Sequence, residues 1–240
     1  MIEETEGVAK MISVIVAAAG RGSRMKRAKN KVFLPLLGKP ILRYSIEAFL
    51  KRSDVAEIIV ICAVHETEEI ESLVASYRER KPVKVVVGGS ERQYSVANAL
   101  RAVSRESELI LVHDGARPLV TDEVTQSVID GARAHRAAIA AVPVKDTIKT
   151  VDAEGMVVDT PPRSTLYAVQ TPQGFDAQLL FDAYARAEED GFLGTDDASL
   201  VERLGIRVAV AEGDYQNIKI TTPEDITIGE ALLKGRRICE

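Results

Sequence analysis

The sequence predicts an α/β fold: a mostly parallel, twisted sheet with helices on both faces and a protruding β-hairpin arm. Three observations lead there. Apolar, β-branched runs alternate with amphipathic stretches from Met11 to about Val144. The runs are almost continuously hydrophobic, as strands covered on both faces must be. After Val144 the rhythm breaks into two short alternating segments around a turn. Strands alternating with helices imply right-handed crossovers, and hence a doubly wound sheet.

The expected strands are Ile12–Ala17, Glu57–Ala63, Val83–Val87, Glu108–Val112 and Ala138–Val144. Between them, Glu66–Arg78 places Ile70, Leu73, Val74 and Tyr77 on one helical face. A second helix opens at Thr121, with Val124, Val128, Ile129 and Ala132 inward. Asp146–Thr160 turns at Ala153-Glu154-Gly155 and reads as a hairpin arm, spanning 146–166 with its flanks. Its apolar residues Ile148, Val151, Val157 and Val158 need a covering surface, either a second subunit or a flap on the same domain. Two helices follow, about Ala177–Glu189 and Asp196–Leu204, then strands Arg207–Ala211 and Asn217–Ile220. Thr222-Pro223-Glu224-Asp225 starts the last helix, with Thr as cap, Pro in the first position and acids in the first turn. Residues 1–10 are polar and acidic and read as a disordered tail; 11–240 reads as one domain plus the arm.

Composition narrows the function. A chain of 240 residues, 46% hydrophobic and 28% charged, is an ordinary globular protein able to bury a large core without staples. The net charge of −5 argues against a general nucleic-acid binder. Cys62 and Cys239 make no disulfide framework. Ile12–Ala19 is too short to span a bilayer and has no basic flank, so a cytoplasmic protein with no membrane partner is expected.

Three loops carry the chemistry, each leaving a strand. Ala17-Ala18-Ala19-Gly20-Arg21-Gly22-Ser23-Arg24 runs on through further cations to Lys31. Small residues let the backbone approach a ligand, and glycines permit turns that aim N–H groups at a phosphate. The pattern is neither Gly-x-Gly-x-x-Gly nor a Walker loop, but so many cations in an otherwise acidic protein favour phosphate over the alternative, a tight turn beside a solvated basic patch. His113-Asp114-Gly115-Ala116-Arg117 follows the fourth strand, at the end where open α/β sheets bind ligands. Asp114 is placed there to hold Mg²⁺ against nucleotide phosphates and Arg117 to grip an anion; alone, Asp114 would read as a helix cap. Gly88-Gly89 lets a base or ribose approach, and Arg92 and Ser95 on the following turn can donate to it, or the stretch is a plain turn. The expected nucleotide contacts are thus Ala18, Ala19, Gly20, Gly22, Ser23, Arg24 and Lys31, then Gly88, Gly89, Arg92 and Ser95, then Asp114 and Gly115. Thr171-Pro172-Gln173 and Thr195-Asp196-Asp197 read as turns or caps, and Lys219 as a ligand or an edge-strand gatekeeper.

In order, the motifs Ala-Ala-Gly-x-Gly-x-Arg-Met with its later Lys, Gly-Gly-x-x-Arg-x-x-Ser-Val, His-Asp-Gly-Ala-Arg-Pro, Pro-Val-Lys-Asp-Thr-Ile-Lys, Thr-Pro-Gln and Asn-Ile-Lys-Ile-Thr resemble the 2-C-methyl-D-erythritol 4-phosphate cytidylyltransferases of the non-mevalonate isoprenoid pathway. The series covers nearly the whole chain from Met11, and ribitol-5-phosphate cytidylyltransferases share most of it. The resemblance implies a Rossmann-like nucleotidyltransferase fold, a homodimer joined by the arm, Mg²⁺, CTP, and a small polyol phosphate as acceptor. It implies that Arg24 and Lys31 stabilise the transition state and that Asp114 is the metal ligand. It implies that Arg163 and Lys219 position the acceptor, with Arg117, Thr147, Thr171 and Thr195 as further contacts. One departure is plain: many members read Cys-Pro-Lys-Gln-Tyr around the catalytic Lys, where this chain has Lys29-Asn30-Lys31-Val32-Phe33.

The implied chemistry needs no general base, because a phosphate monoester with a second pKa near 6 is largely a dianion at neutral pH. No convincing His–carboxylate pair stands in the sequence. Positioning and charge neutralisation are then the whole of catalysis. Transfer to ribitol 5-phosphate, or a non-catalytic nucleotide-binding module on the same scaffold, are the alternative readings.

Overall fold

The structure, a computed structural model, describes residues 11–20 and 30–239, without the side chains of 237–239. The expected tail, 1–10, lies outside the described residues. So do Gly22, Ser23 and Arg24 of the glycine loop.

A seven-stranded sheet forms the centre. Its strands are β1 (Met11–Ala17), β4 (Val55–Cys62), β5 (Val83–Val87), β6 (Ser107–Asp114), β7 (Ala137–Pro143), β10 (Tyr167–Asp176) and β11 (Ala209–Glu212). Two short hairpins lie apart from it: β2 (Pro35–Leu36) with β3 (Lys39–Pro40), and β8 (Thr150–Val151) with β9 (Val157–Asp159). The sheet order is β11-β7-β10-β6-β1-β4-β5. All its strands run parallel except β10, which pairs antiparallel with both β6 and β7.

Alternation along each strand divides the core in two. Ile12, Val14 and Val16, with Ile58, Val60 and Leu111, face α1 (Ile41–Leu50), α2 (Thr67–Val74) and α4 (Asp122–His135). Ile15, Ile59, Ile61, Ile110 and Val112 face α3 (Arg92–Leu100), α5 (Ala177–Glu189) and α6 (Asp197–Arg203). Each large aliphatic side chain buried this way contributes roughly 1.5–3 kcal/mol. Helix α7 (Pro223–Cys239) closes the chain, and Leu34, Leu36, Ile41 and Ile220 form a third, smaller cluster near it. Among the described residues no helix is long and apolar enough to cross a membrane.

Local signals set most boundaries. The Thr121 hydroxyl accepts from the Val124 N–H at 3.3 Å and starts α4. Asp196 caps α6 by accepting from Ser199 N–H at 2.9 Å. At α7 the Asp225 carboxylate reaches back to the N–H groups of Thr221 and Thr222. The hairpin arm is present but its ladder is short, and Ile148, Val151, Val157 and Val158 are all exposed.

Three expectations need correction. The segment Glu66–Arg78 is not one α-helix: α2 is flanked by 3-10 turns at Val64–Glu66 and Ala75–Tyr77, although Ile70, Val74 and Tyr77 are buried as predicted. The segment Asn217–Ile220 is not a strand; it runs through without sheet pairing, tied by the Ile220 N–H to the Ala116 carbonyl at 2.8 Å. Thr171-Pro172-Gln173 is not a turn but the middle of β10. Pro172 sits where the β10–β7 register shifts between Val169 and Gln173, so its missing N–H costs no ladder bond.

Candidate active site

The chain leaves β1, turns back to β4 on one side, and reaches β6 on the other side of β1. The ends of β1 and β6 therefore flank a topological switch point, where open sheets leave a crevice. A cavity of about 430 Å³ opens there. Such a volume suits a small ligand. Ala18, Ala19, Gly20 and Lys31 line it from the loop after β1. Gly89, Arg92 and Ser95 line it from the loop after β5, and Asp114 and Lys219 close its base. Gly88 and Gly115 lie behind this lining. A larger groove, about 920 Å³, lies between the end of α1 and the start of α4. Arg52 in its lining is already held by Asp54, Asp122 and Gln126.

The loop after β5 needs its two glycines. A Cβ on Gly88 would stand 2.8 Å from Ser95 Oγ, 3.0 Å from Ala19 Cβ and 3.1 Å from Ile61 Cγ2. One on Gly89 would stand 2.6 Å from Tyr94 Cβ. The Ser95 hydroxyl braces this loop, accepting from Gly89 N–H at 3.0 Å and donating to the Glu91 carbonyl at 2.8 Å.

Asp114 is the electrostatic centre. It is buried, and its carboxylate meets Lys219 Nζ at 2.8 Å and Arg117 Nε at 3.5 Å. Burial alone would raise its pKa, but Lys219, Arg92 and Arg117 outweigh that and hold it down at about 2. It is ionised at any physiological pH. Beneath it the Asp114 N–H donates to Thr171 Oγ1 at 2.9 Å, which leaves the Thr171 hydroxyl to donate to His113 Nδ1 at 3.1 Å. His113 Nε2 then carries the proton and donates to the Arg117 carbonyl at 3.1 Å. Burial pushes the His113 pKa down to about 4, so the ring stays neutral. His113 also packs edge-on against Phe49, at 5.1 Å between centroids, and serves the frame of the site.

The acceptor set implied by the resemblance is brought together only in part. Lys219 lines the cavity; its placement follows from the Ile220–Ala116 bond one residue on. Arg117 is turned inward, its guanidinium donating to the Asn217 carbonyl at 2.7 Å and meeting Asp114. Thr171 is buried beneath Asp114 with its hydroxyl engaged. Thr195 is exposed on the loop before α6, outside the cavity lining. Thr147 and Arg163 are also outside it, at the base of the arm, where the Arg163 guanidinium donates to the Lys145 carbonyl at 2.8 Å. Arg24 lies outside the described residues.

Four further residues shape the site without having been assigned a role in it from the sequence. Asp197, wholly buried, holds Arg92 at 2.6 Å and accepts from the Tyr184 hydroxyl at 2.5 Å. Gln93 links α3 to the loop before α6 through the Phe192 carbonyl and the Gly194 N–H. Asn217 donates to the Thr171 carbonyl at 2.9 Å. Asn30 anchors the return of the glycine loop. The only sequence trace of these contacts is the doubled acid Asp196-Asp197; side chains that pair across unrelated loops leave no periodicity.

A family model described as IspD, 2-C-methyl-D-erythritol 4-phosphate cytidylyltransferase, matches residues 12–235. A protein of that name from Caldanaerobacter subterraneus subsp. tengcongensis is 49% identical over 224 residues, covering 93% of this chain and 99% of the relative. One of the same name from Bacillus mycoides is 51% identical over 223 residues, covering 93% and 98%. Among solved structures, 4-diphosphocytidyl-2C-methyl-D-erythritol synthase from Anaerococcus prevotii superposes with a TM-score of 0.84 at 33% identity, covering 95% of this chain and all of that one. The 2-C-methyl-D-erythritol 4-phosphate cytidylyltransferase of Thermus thermophilus gives 0.75 at 34% identity, covering 93% and 99%.

Proposed function

The chain belongs to the 2-C-methyl-D-erythritol 4-phosphate cytidylyltransferase family, and from that premise we propose that it transfers a cytidylyl group from CTP to 2-C-methyl-D-erythritol 4-phosphate, releasing pyrophosphate. The observation that carries the reading is the cavity at the switch point, where an ionised, buried Asp114 is set among Lys219, Arg92 and Lys31. That arrangement suits a polyphosphate, which needs cations for its oxygens and one hard carboxylate for a divalent ion.

The residues fit Mg²⁺. Asp114 is a hard oxygen donor kept ionised, and this ion needs only one or two carboxylates when phosphates and waters complete its shell. Asp114 would hold it, and the bound ion would neutralise phosphate charge. The chain's own groups do the rest. Gly88 and Gly89 let the base come close to the backbone. Lys31 and Arg24 hold the triphosphate. Lys219 and Arg163 orient the acceptor phosphate, whose oxygen attacks the α-phosphorus in line as the P–O bond to pyrophosphate breaks. No side chain is needed as base, consistent with His113 being buried, neutral and fully engaged.

The arm's exposed apolar residues support a homodimer in which the arm, 146–166, lies on a second copy, the remainder forming one domain with no nucleic-acid or membrane partner. Both substrates are small soluble phosphates, which suits the cytoplasm. Pyrophosphate release with each of the four nucleotides, against methylerythritol phosphate and against ribitol 5-phosphate, tests the reading. CTP with methylerythritol phosphate should be fastest. Equal rates with ATP, or faster release with ribitol 5-phosphate, would overturn the nucleotide or the acceptor assignment respectively.

A further inference from the structure

Asn30 precedes Lys31 and is buried, as is Glu66 in the turn after β4. Its amide orientation follows from its partners. The Val32 N–H, at 3.3 Å, needs an acceptor and so faces Oδ1. The Ala18 carbonyl at 2.8 Å and Glu66 Oε2 at 3.1 Å need donors, and both protons of Nδ2 are spent on them. One side chain therefore joins three segments: the start of the glycine loop, its return, and the turn after β4. The backbone of Asn30, at φ −58° and ψ 133°, is one that proline adopts readily.

We propose that Asn30 and Glu66 form a positioning pair that pins both ends of the glycine loop and so aims Lys31 into the nucleotide cavity. The proposal rests on reading Lys31 as a cation of that cavity. Ala18 and Lys31 both line it, and the Asn30 amide ties their two segments together directly. With the pair intact, Lys31 is held before substrate arrives. Without it, Lys31 has to be recruited at each turnover, and the loss falls on kcat more than on KM for CTP.

The test is pyrophosphate release by Asn30→Asp, Asn30→Ser, Glu66→Gln, Lys31→Ala and the doubles Asn30→Asp/Glu66→Gln and Asn30→Asp/Lys31→Ala, with thermal midpoints alongside. Asn30→Asp sets a second carboxylate beside Glu66 and should lower kcat at least tenfold with KM for CTP changed less than threefold. Asn30→Asp/Glu66→Gln exchanges donor and acceptor and should regain at least a third of that loss on a logarithmic scale. Asn30→Asp/Lys31→Ala should be no slower than Lys31→Ala, because Asn30 acts through Lys31. Should Asn30→Asp fail to fold, Asn30→Ser, which lacks the amide donors and adds no charge, is judged by the same kcat criterion. Wild-type kcat in the Asn30 variants, absence of rescue, or a further tenfold loss on the Lys31→Ala background overturns the proposal. Full turnover in Lys31→Ala overturns the reading of Lys31 and this proposal with it; slow Lys31→Ala beside fast Asn30 variants overturns this proposal alone.

Discussion

Gly88→Ala adds one methyl group at a crowded point just behind the cavity lining. The new carbon would lie 2.8 Å from Ser95 Oγ, 3.0 Å from Ala19 Cβ and 3.1 Å from Ile61 Cγ2, so three walls must yield at once. Ala19 and Ile61 cannot rotate away, since one has no χ angle and the other is fully buried in β4. The hydroxyl of Ser95 has to move, and its bonds to Gly89 N–H and the Glu91 carbonyl go with it. Overpacking of this kind costs about 1–3 kcal/mol. Two hydrogen bonds lost at about 1 kcal/mol each bring the expected destabilisation to about 3–5 kcal/mol. Urea denaturation measures that term, and KM for CTP, expected to rise at least tenfold, measures displacement of the loop. Gly20→Ala is the matched control: its Cβ meets no atom of the described residues within 4 Å, so stability should hardly change. A Gly88→Ala enzyme with wild-type stability and wild-type KM would refute the claim that this backbone must approach its ligand closely.

Lys31→Ala should lower kcat by about a hundredfold or more while changing stability by less than about 0.5 kcal/mol, as a cavity-lining cation would; thermal melting and pyrophosphate release on one preparation separate the two effects. Mixing Arg163→Ala subunits with Lys31→Ala subunits should restore part of the activity if the arm base completes its neighbour's site, because one site of each heterodimer is then intact; no recovery, with subunit exchange verified independently, would assign Arg163 to its own subunit or to no catalytic task. Glu57 is buried, which raises its pKa, but Lys84, the Ser104 N–H and the Ser13 hydroxyl together carry it below the ordinary 4.5. Its contribution to stability is therefore complete above about pH 4.5 and lost as pH falls through the lowered folded value. Glu57→Gln should flatten that part of the acid-unfolding curve measured with urea, and an unchanged curve would discount the carboxylate.

The periodic parts of this fold were legible because a two-faced core writes itself into the sequence. β1, β4, β5, β6 and β7 emerged within two residues of their bounds, since each is an apolar run closed by a turn signal. β10 did not, because it carries Thr171-Pro172-Gln173-Gly174, residues that elsewhere end strands. A register shift inside the sheet makes room for them, and such a shift leaves no local mark. The false strand Asn217–Ile220 failed for the converse reason: its alternating Ile218 and Ile220 pack on the small cluster around Leu36 without needing a ladder. At the site, loops that leave strands were found by their glycines and charges. The pairings that fix those loops, Asp197 with Arg92 and Asn30 with Glu66, join positions 105 and 36 residues apart, and no spacing rule reaches that far.

The place of β10 has a consequence for synthesis of the chain. β1, β4, β5 and β6 are contiguous in the sheet and complete by residue 114, whereas β7 is not adjacent to any of them. The strand that joins them, β10, emerges only with residues 167–176. Until then a nascent chain carries the hydrogen-bonding edge of β6 open to any passing strand, a known route to misassembly. The same delay applies to the chemistry, since Thr171 arrives under Asp114 with that strand. A ribosome-bound chain ending before Tyr167 should hold half a sheet and no finished nucleotide site, and chaperone contact in that window would fall on the edge that the last central strand later covers.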